Sequence, residues 1–252
     1  MQTFNKIEID YKNLDGIIFD MDGVVTDTAI THAKAWKQLF DEYLEKRATE
    51  RGESFRPFDL DSDYHRYVDG IPRYDGVKSF LESRHISLPC GQATDQIEQE
   101  TICGLGNRKN KYFLRQLRKE GVTPYDSTVA LIKWLRDEGI GTAIISASRN
   151  AEEVLKAGGI LDLFDVKVDG VDSDKLRLKG KPEPDIFLEA ARQLEIYPRR
   201  AAIVEDSLAG VEAGHRGEFK LVIGVDRTGH GEALKEHGAS IVVNDLAEIL
   251  PR

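Results

Sequence analysis

Short apolar runs recur along the chain, and most of them end at an aspartate or a serine. One run occupies residues 16–20, and five more follow in the second half, at 141–148, 164–170, 201–207, 220–226 and 240–245. A continuous apolar run of this length is typical of a strand that is covered on both faces. The pattern therefore predicts a sheet of about six strands.

Segments with helical features separate these runs. Residues 128–139, 150–159 and 185–195 have the apolar spacing or the end signals of helices. In the second segment, Asn150 is a candidate N-cap and Glu153, three positions later, is the partner that a capping box requires. Strands that alternate with helices imply right-handed crossovers, and hence an α/β fold with a Rossmann-like parallel sheet.

The middle of the chain, from residue 30 to residue 123, has a different pattern. It contains no run typical of a buried strand, whereas residues 32–50, 75–84 and 94–120 have helical patterns. We therefore predict a helical cap at 30–123, inserted into a catalytic α/β core formed by 1–29 and 124–252. Such an insertion follows the carboxyl end of the first strand, where open α/β sheets bind ligands. It is expected to be a specificity lid, with hinges near 28–30 and 122–126.

Charge and cysteine content narrow the class of protein. The chain has 252 residues and a formal net charge of −9, which argues against non-specific nucleic-acid binding. No apolar run reaches the length of a membrane span, and the charged first sixteen residues do not resemble a signal peptide. Cys90 and Cys103 are expected as reduced thiols, although a pair between them stays open. A cytoplasmic monomer is expected.

Polar residues at the ends of predicted strands, or between a strand and the next helix, are the candidate chemistry. Parallel strands share an edge at their carboxyl ends, so these residues converge although they are far apart in the sequence. They are Asp20, Asp22, Ser146, Lys181, Glu205 and Asp206. Several carboxylates would repel one another, and Mg2+ relieves that repulsion, while a lysine and a serine suit a phosphoryl group. Taken singly, each of the residues after a strand also fits ordinary turn chemistry.

Four segments resemble the motifs of the haloacid dehalogenase-like superfamily, and the insertion resembles its α-helical cap. The segments are FDMDGVVTDT at 19–28, ISAS at 145–148, KGKPEPDIF at 179–187 and VEDSLAGVEAG at 204–214. The branch that they resemble is the β-phosphoglucomutase-like one. The resemblance implies an enzyme that transfers a phosphoryl group of a sugar phosphate through an aspartyl-phosphate, with Mg2+ as cofactor.

The resemblance also implies a role for each motif residue. Asp20 is the implied nucleophile and Asp22 the implied general acid and base, and these roles need opposite protonation states. Ser146 and Lys181 would hold the transferring phosphoryl group. The implied ligands of Mg2+ are Asp20, the backbone carbonyl of Asp22, Asp206 and, in support, Glu205.

A mutase needs a second phosphate site, whereas a phosphatase does not. One candidate set lies at a helix N-terminus, where backbone N–H groups favour an anion. This set follows Ser146 and comprises Ala147, Ser148, Arg149 and Asn150, of which Asn150 also fits helix capping. By resemblance, a second set lies in the cap and comprises Arg73, Lys109 and Asn110, while Thr28 and His32 match positions that gate the acid/base residue.

The sequence leaves the acceptor of the phosphoryl group open. The favoured hypothesis is a mutase that converts β-glucose 1-phosphate to glucose 6-phosphate and uses a sugar bisphosphate as activator. The alternative is a sugar-phosphate phosphatase with the same core, and the third is a non-catalytic binding module. Residues 47–67 and 168–181 are longer than expected for the branch, and we expect a longer loop in 168–181; both segments are expected to reshape the pocket.

Overall fold

The computed structural model describes residues 6–227 and 229–251. The chain forms two compact units. The first comprises Met1–Asp27 and Val122–Arg252, and the second comprises Thr28–Gly121. Each boundary falls two residues before the one expected from the sequence.

The first unit contains a six-stranded sheet in which every neighbouring pair of strands is parallel. The strands are β1 (Gly16–Asp20), β2 (Gly141–Ile145), β3 (Val166–Val168), β4 (Ala201–Glu205), β5 (Leu221–Val225) and β6 (Ile241–Val243). Their order is β3-β2-β1-β4-β5-β6, so the winding direction reverses between β1 and β4. This confirms the predicted α/β fold with about six parallel strands. Ligands bind at such a reversal point in open sheets.

Ten α-helices occur in the described residues. They are α1 (Ala29–Arg51), α2 (Ser62–Tyr67), α3 (Arg73–Ser83), α4 (Ile102–Glu120), α5 (Asp126–Asp137), α6 (Ala151–Ala157), α7 (Gly170–Leu176), α8 (Asp185–Gln193), α9 (Leu208–Arg216) and α10 (Gly231–Glu236). Helices α1 to α4 form the second unit, which is helical as predicted. None of the helices in the described residues combines the length and hydropathy that a membrane span requires.

Helix α8 shows why the core forms. Its buried stripe contains Ile186, Phe187 and Ala190, as the sequence spacing predicts, and it packs against the sheet. Burying a large apolar side chain stabilises a fold by about 1.5 to 3 kcal/mol. Packing on the sheet, rather than helix propensity alone, therefore holds a helix of this length in place.

Two local predictions are wrong, and a third holds only for the position of the residue. The helix predicted at 94–120 begins only at Ile102, because the Thr101 hydroxyl accepts a hydrogen bond from the Gly104 N–H at 2.9 Å and caps it there. The expected loop at 168–181 contains α7, whose start Asp169 fixes through a capping box. Asn150 occupies the N-cap position of α6, but its side chain makes no capping hydrogen bond.

The long segment before α2 is built into the core of the second unit. Phe58 is 1% exposed and stacks against Phe40, with ring centroids 5.2 Å apart. Asp41 accepts a hydrogen bond from the Phe58 N–H at 2.7 Å, and Lys37 donates to the Phe58 carbonyl at 3.0 Å. The insertion is therefore anchored by a buried aromatic side chain and two hydrogen bonds.

Candidate active site

The central feature of the first unit is a buried lysine between two carboxylates. Lys181 donates hydrogen bonds to Asp20 Oδ1 and to Glu205 Oε1, both at 2.6 Å. Asp20 ends β1 and Glu205 ends β4, and these strands are neighbours because Phe19 pairs with Val204. All three charged side chains are at most 8% exposed. Two buried carboxylates share one ammonium, so the group carries excess negative charge in a place where such charge is costly.

Glu205 is held by its own chain as well as by Lys181. Its Oε2 accepts the N–H of Asp206 at 2.7 Å, and its Oε1 accepts the hydroxyl of Ser207 at 2.8 Å. A Cβ added to Gly210 would lie 1.5 Å from Glu205 Oε1, so only glycine allows α9 to approach this closely. The carboxylate is thus oriented before any ligand binds, which reduces the cost of reorganisation during a reaction.

Burial and neighbouring charge act on the protonation of this group. Burial raises the pKa of Asp20 well above its usual value, and the negative charge of Glu205 raises it further. Burial lowers the pKa of Lys181, but the attraction of Asp20 and Glu205 outweighs it, and the net shift is upward. Lys181 is therefore a cation at every physiological pH. The unfavourable energy of the excess negative charge appears at Asp20, as its raised pKa.

Asp206 completes a cluster of oxygen donors. Carboxylate oxygens of Asp20, Glu205 and Asp206 lie within 4.8 Å of one another. Asp206 lies over Gly23, where an added Cβ would come within 1.7 Å of its Oδ2 and where φ is +84°. Three carboxylates beside one ammonium form a hard, anionic donor set, and such a set fits Mg2+.

Asp22 and Ser146 face each other across neighbouring strands. The Ser146 hydroxyl donates to Asp22 Oδ2 at 3.4 Å, and it accepts the N–H of Ser148 at 3.0 Å. Ser146 is 2% exposed and comes directly after β2, whose last residue, Ile145, pairs with Asp20. Asp22 is more exposed than Asp20, so the two carboxylates of the DxD motif lie in different environments.

The loop after Ser146 packs against α7. The Ser148 carbonyl accepts the N–H of Gly170 at 3.1 Å, and a Cβ on Gly170 would lie 2.7 Å from the Ala147 carbonyl oxygen. Ser148 Oγ also accepts the N–H of Asn150 at 3.2 Å. The loop is therefore held from one side by the start of α7.

Arg149 is engaged by α7 as well. Its guanidinium binds the Asp174 carboxylate at 2.8 Å, and both side chains are exposed. An exposed ion pair of this kind is worth about 1 kcal/mol or less, so an anionic ligand can compete for the arginine. Asp174 was not predictable as a partner of Arg149, because residues 168–181 were expected to form a loop.

In the second unit, Lys109 is buried among aromatic rings. Its ammonium lies 4.7 Å from the centroid of the Trp36 ring and 2.5 Å from His32 Nδ1. An ammonium group only donates, so His32 Nδ1 accepts and its proton resides on Nε2. The His32 ring stacks on Phe113, with centroids 3.9 Å apart, and Thr28 is the N-cap of the same helix, α1. Burial, together with the charge of Lys109, holds the pKa of His32 well below its usual value, so the imidazole is neutral.

Arg73 lies against the same helix as Lys109. It begins α3, and a Cβ on Gly106 of α4 would lie 3.4 Å from its Cγ. Its guanidinium lies over the ring of Tyr74, 5.0 Å from the centroid. Since Gly106, Lys109 and Asn110 are three and four positions apart on α4, they share a helix face. Arg73 of α3 therefore packs against α4, the helix that carries the other two predicted binding residues of the second unit.

The family follows from the comparison with known proteins. The model for haloacid dehalogenase-like hydrolases matches residues 14–217. The chain belongs to this family. It is similar to a β-phosphoglucomutase of Mycobacterium bovis, with 47% identity over 92% of this chain and 90% of the relative. This relationship places it in the β-phosphoglucomutase-like branch of the haloacid dehalogenase-like enzymes, and the chain is therefore an enzyme.

Two further comparisons span nearly the whole chain. A phosphorylated carbohydrates phosphatase of Thermotoga maritima is 27% identical over 94% of this chain and all of the relative. The crystal structure of a β-phosphoglucomutase from Clostridium difficile has a TM-score of 0.71 and 28% identity, covering 93% of this chain and 92% of that one. The proteins to which this chain is similar thus include both mutases and a phosphatase by name.

Ser207, which holds Glu205 in place, was not predicted from the sequence as part of the site. Ser207 accepts the Gly210 N–H at 3.1 Å as the N-cap of α9, while its hydroxyl donates to Glu205. A serine just before a helical segment was a signal for this capping role. The hydrogen bond from Ser207 to Glu205 was not predictable from the sequence, because it depends on the conformation of the turn between β4 and α9.

Proposed function

We propose that this protein is a β-phosphoglucomutase-type enzyme that isomerises β-glucose 1-phosphate to glucose 6-phosphate. The observation that supports the proposal is the presence of two separate cationic groups. In the first unit Lys181 lies between Asp20 and Glu205, and in the second unit Arg73 packs against α4, the helix that carries Lys109. A mutase must bind a sugar that carries two phosphates at one stage of its cycle, and a single phosphate site does not suffice.

In the proposed reaction, a carboxylate oxygen of Asp20 attacks the phosphorus of a sugar phosphate. The new Asp20–phosphorus bond forms as the ester bond to the sugar oxygen breaks, and Asp22 donates a proton to that oxygen. Two in-line steps of this kind leave the protein chiefly with positioning and charge stabilisation. For the return step, a sugar hydroxyl gives its proton to Asp22 and attacks the aspartyl-phosphate.

Lys181 and Ser146 fit the stabilising roles. The Lys181 ammonium lies at Asp20, so it can offset the negative charge of an incoming phosphoryl group, and the Ser146 hydroxyl can donate to a phosphoryl oxygen. Mg2+, held by Asp20, the Asp22 carbonyl and Asp206 with Glu205 in support, would neutralise phosphoryl charge. The extra negative charge around Lys181 supports this cation requirement.

The cap residues are proposed to bind the phosphate that is not transferred. Arg73 supplies a planar guanidinium that suits phosphate, and Lys109 and Asn110 add a point charge and an amide donor. The run from Ala147 to Asn150 is proposed to assist from the core, where the Arg149 guanidinium can bind an anion in place of Asp174. A sugar bisphosphate would then serve as activator, because it can phosphorylate Asp20.

Phosphorus NMR tests the proposal directly. The purified protein, with Mg2+ and β-glucose 1-phosphate, is primed with a trace of glucose 1,6-bisphosphate. We expect conversion to glucose 6-phosphate, and loss of that conversion in Asp20→Asn. Asp137→Asn is the matched control, because Asp137 is an exposed aspartate of the same unit, at the end of α5.

The other outcomes identify the alternatives. Release of inorganic phosphate, abolished in Asp20→Asn, would make the protein a sugar-phosphate phosphatase, which the Thermotoga maritima relative favours. In Arg73→Ala, a mutase should lose isomerisation at least tenfold, while hydrolysis of a small monoester should persist. Equal activity in wild type and Asp20→Asn would contradict aspartyl-phosphate chemistry and support the non-catalytic hypothesis.

A further inference from the structure

Arg227 connects the catalytic turn to two distant parts of the first unit. It lies two residues after β5, and its side chain is 19% exposed. Its Nε donates to the Gly23 carbonyl at 2.9 Å, and its Nη1 donates to the Asn244 carbonyl at 3.2 Å. Its guanidinium also covers the ring of Tyr125, 3.8 Å from the centroid. A single side chain therefore holds the residue that follows Asp22.

The turn that Arg227 holds determines the backbone at Asp22. Gly23 has a φ of +84° and its N–H donates to the Thr26 carbonyl at 2.8 Å. With the bond from Arg227, both the N–H and the C=O of Gly23 are fixed, and the face of Gly23 that lacks a Cβ lies against Asp206. Glycine is the conformationally freest residue type, so these contacts restrict the turn, together with the hydrogen bonds that the Val25 and Thr26 N–H groups donate to the Met21 carbonyl.

Tyr125 ties the same turn from its other end. Its N–H donates to the Val25 carbonyl at 3.0 Å, and its hydroxyl donates to Asp27 Oδ1 at 3.2 Å. The Arg227 guanidinium thus contacts both Gly23 and Tyr125, and Tyr125 in turn is hydrogen-bonded to Val25 and Asp27. A planar guanidinium can donate and stack at once, whereas a lysine ammonium lacks this combination.

We propose that Arg227 is a positioning residue for Asp22. It holds the Asp22–Gly23 turn so that the Asp22 carboxyl reaches the oxygen that leaves the phosphorus. This inference rests on the proposed role of Asp22 as general acid. In the proposed role, Arg227 touches no reacting atom and acts only through the turn.

Leaving-group dependence separates this role from a purely structural one. p-Nitrophenyl phosphate releases a stable phenolate, and its transfer to Asp20 needs little help from a proton donor. Transfer from a sugar phosphate releases an alkoxide and requires the proton. We expect Arg227→Met to lower kcat about 10- to 100-fold for the sugar phosphate, and less than threefold for p-nitrophenyl phosphate. Asp22→Asn should show the same split more strongly.

Two more variants serve as controls. Arg227→Lys keeps the charge and should show a smaller split in the same direction, which covers the case in which Arg227→Met does not fold. Arg199→Met removes an exposed arginine of the same unit, whose partner is Glu218, and should leave both rates unchanged.

Each result has a distinct meaning. A split in both Asp22→Asn and Arg227→Met supports the inference. A split in Asp22→Asn, together with equal losses on both substrates in Arg227→Met and Arg227→Lys, would overturn it and leave Arg227 a structural residue. The absence of a split in Asp22→Asn would overturn the proposed role of Asp22, and the inference with it.

Discussion

Replacing Lys181 with methionine tests the charge balance of the site. The substitution keeps the length and the apolar stem of the side chain but removes the ammonium that binds Asp20 and Glu205, each at 2.6 Å. Removing one partner of a buried ion pair typically costs about 3 to 5 kcal/mol, because the remaining charge is left uncompensated. For a domain of this size each kcal/mol lowers Tm by roughly 2 to 4 °C, so a drop of about 10 °C is expected.

The loss of stability should depend on pH and on metal. Without the ammonium, the buried Asp20 takes up a proton more readily, so low pH relieves its repulsion with Glu205. The destabilisation is therefore expected to be larger at pH 8 than at pH 5, and Mg2+ should restore part of it at pH 8. Activity should fall at least about 100-fold, as it does when a fixed charge-stabilising donor is removed from an active site.

Thermal unfolding by circular dichroism, in EDTA and in Mg2+, measures these effects. Lys167→Met is the matched control, since Lys167 also bridges two carboxylates, Asp169 at 2.5 Å and Asp172 at 3.4 Å. Its side chain is 24% exposed, compared with 2% for Lys181. We expect a smaller loss and retained activity in the control. Equal losses of Tm in the two variants at both pH values would refute the inference that Asp20 and Glu205 depend on the buried ammonium for charge compensation.

Three further outcomes follow from burial and charge. In Asp20→Asn, activity should vanish, while the metal-free protein should become more stable at neutral pH. The raised pKa of Asp20 makes the wild type lose stability as pH rises above about 4, so equal pH slopes of wild type and variant in urea unfolding would contradict this. In NMR titrations the imidazole of His32, whose pKa burial lowers, should still be neutral at pH 6.5. The imidazole of His65, whose pKa is raised by its bonded carboxylate, should titrate above pH 6.5, and the reverse order would be inconsistent with the structure. Ellman's reagent should modify the exposed Cys90 rapidly and the buried Cys103 slowly, because burial also raises the pKa of the Cys103 thiol. Two rapidly modified thiols would show that the site of Cys103 opens readily.

Much of the architecture could be predicted from local patterns. Apolar runs of five residues at 16–20 and 201–205 are strands because both faces of a parallel sheet are buried, and the sequence alone shows this. The polar residues at their ends were predictable as neighbours, because parallel strands share an edge. That Asp20 and Glu205 lie beside Lys181 agrees with this reasoning.

Helix boundaries were less predictable, because they depend on single hydrogen bonds. Thr101 starts α4 eight residues after the periodic pattern suggests, and Asp169 turns an expected loop into α7. Both are capping residues whose signals are visible in the sequence, but many Thr and Asp residues fit the same signal without acting as caps.

What a side chain binds across the fold was decided only by the tertiary structure. The guanidinium of Arg149 binds Asp174. The guanidinium of Arg227 lies between Gly23 and Tyr125, and Tyr125 is about a hundred residues from both Gly23 and Arg227 in the sequence. Nothing in the local sequence indicates the partners of these two arginines. Periodicity and strand-end position are local properties, and a chain carries them in its sequence, whereas partner choice depends on distances that exist only once the sheet has formed.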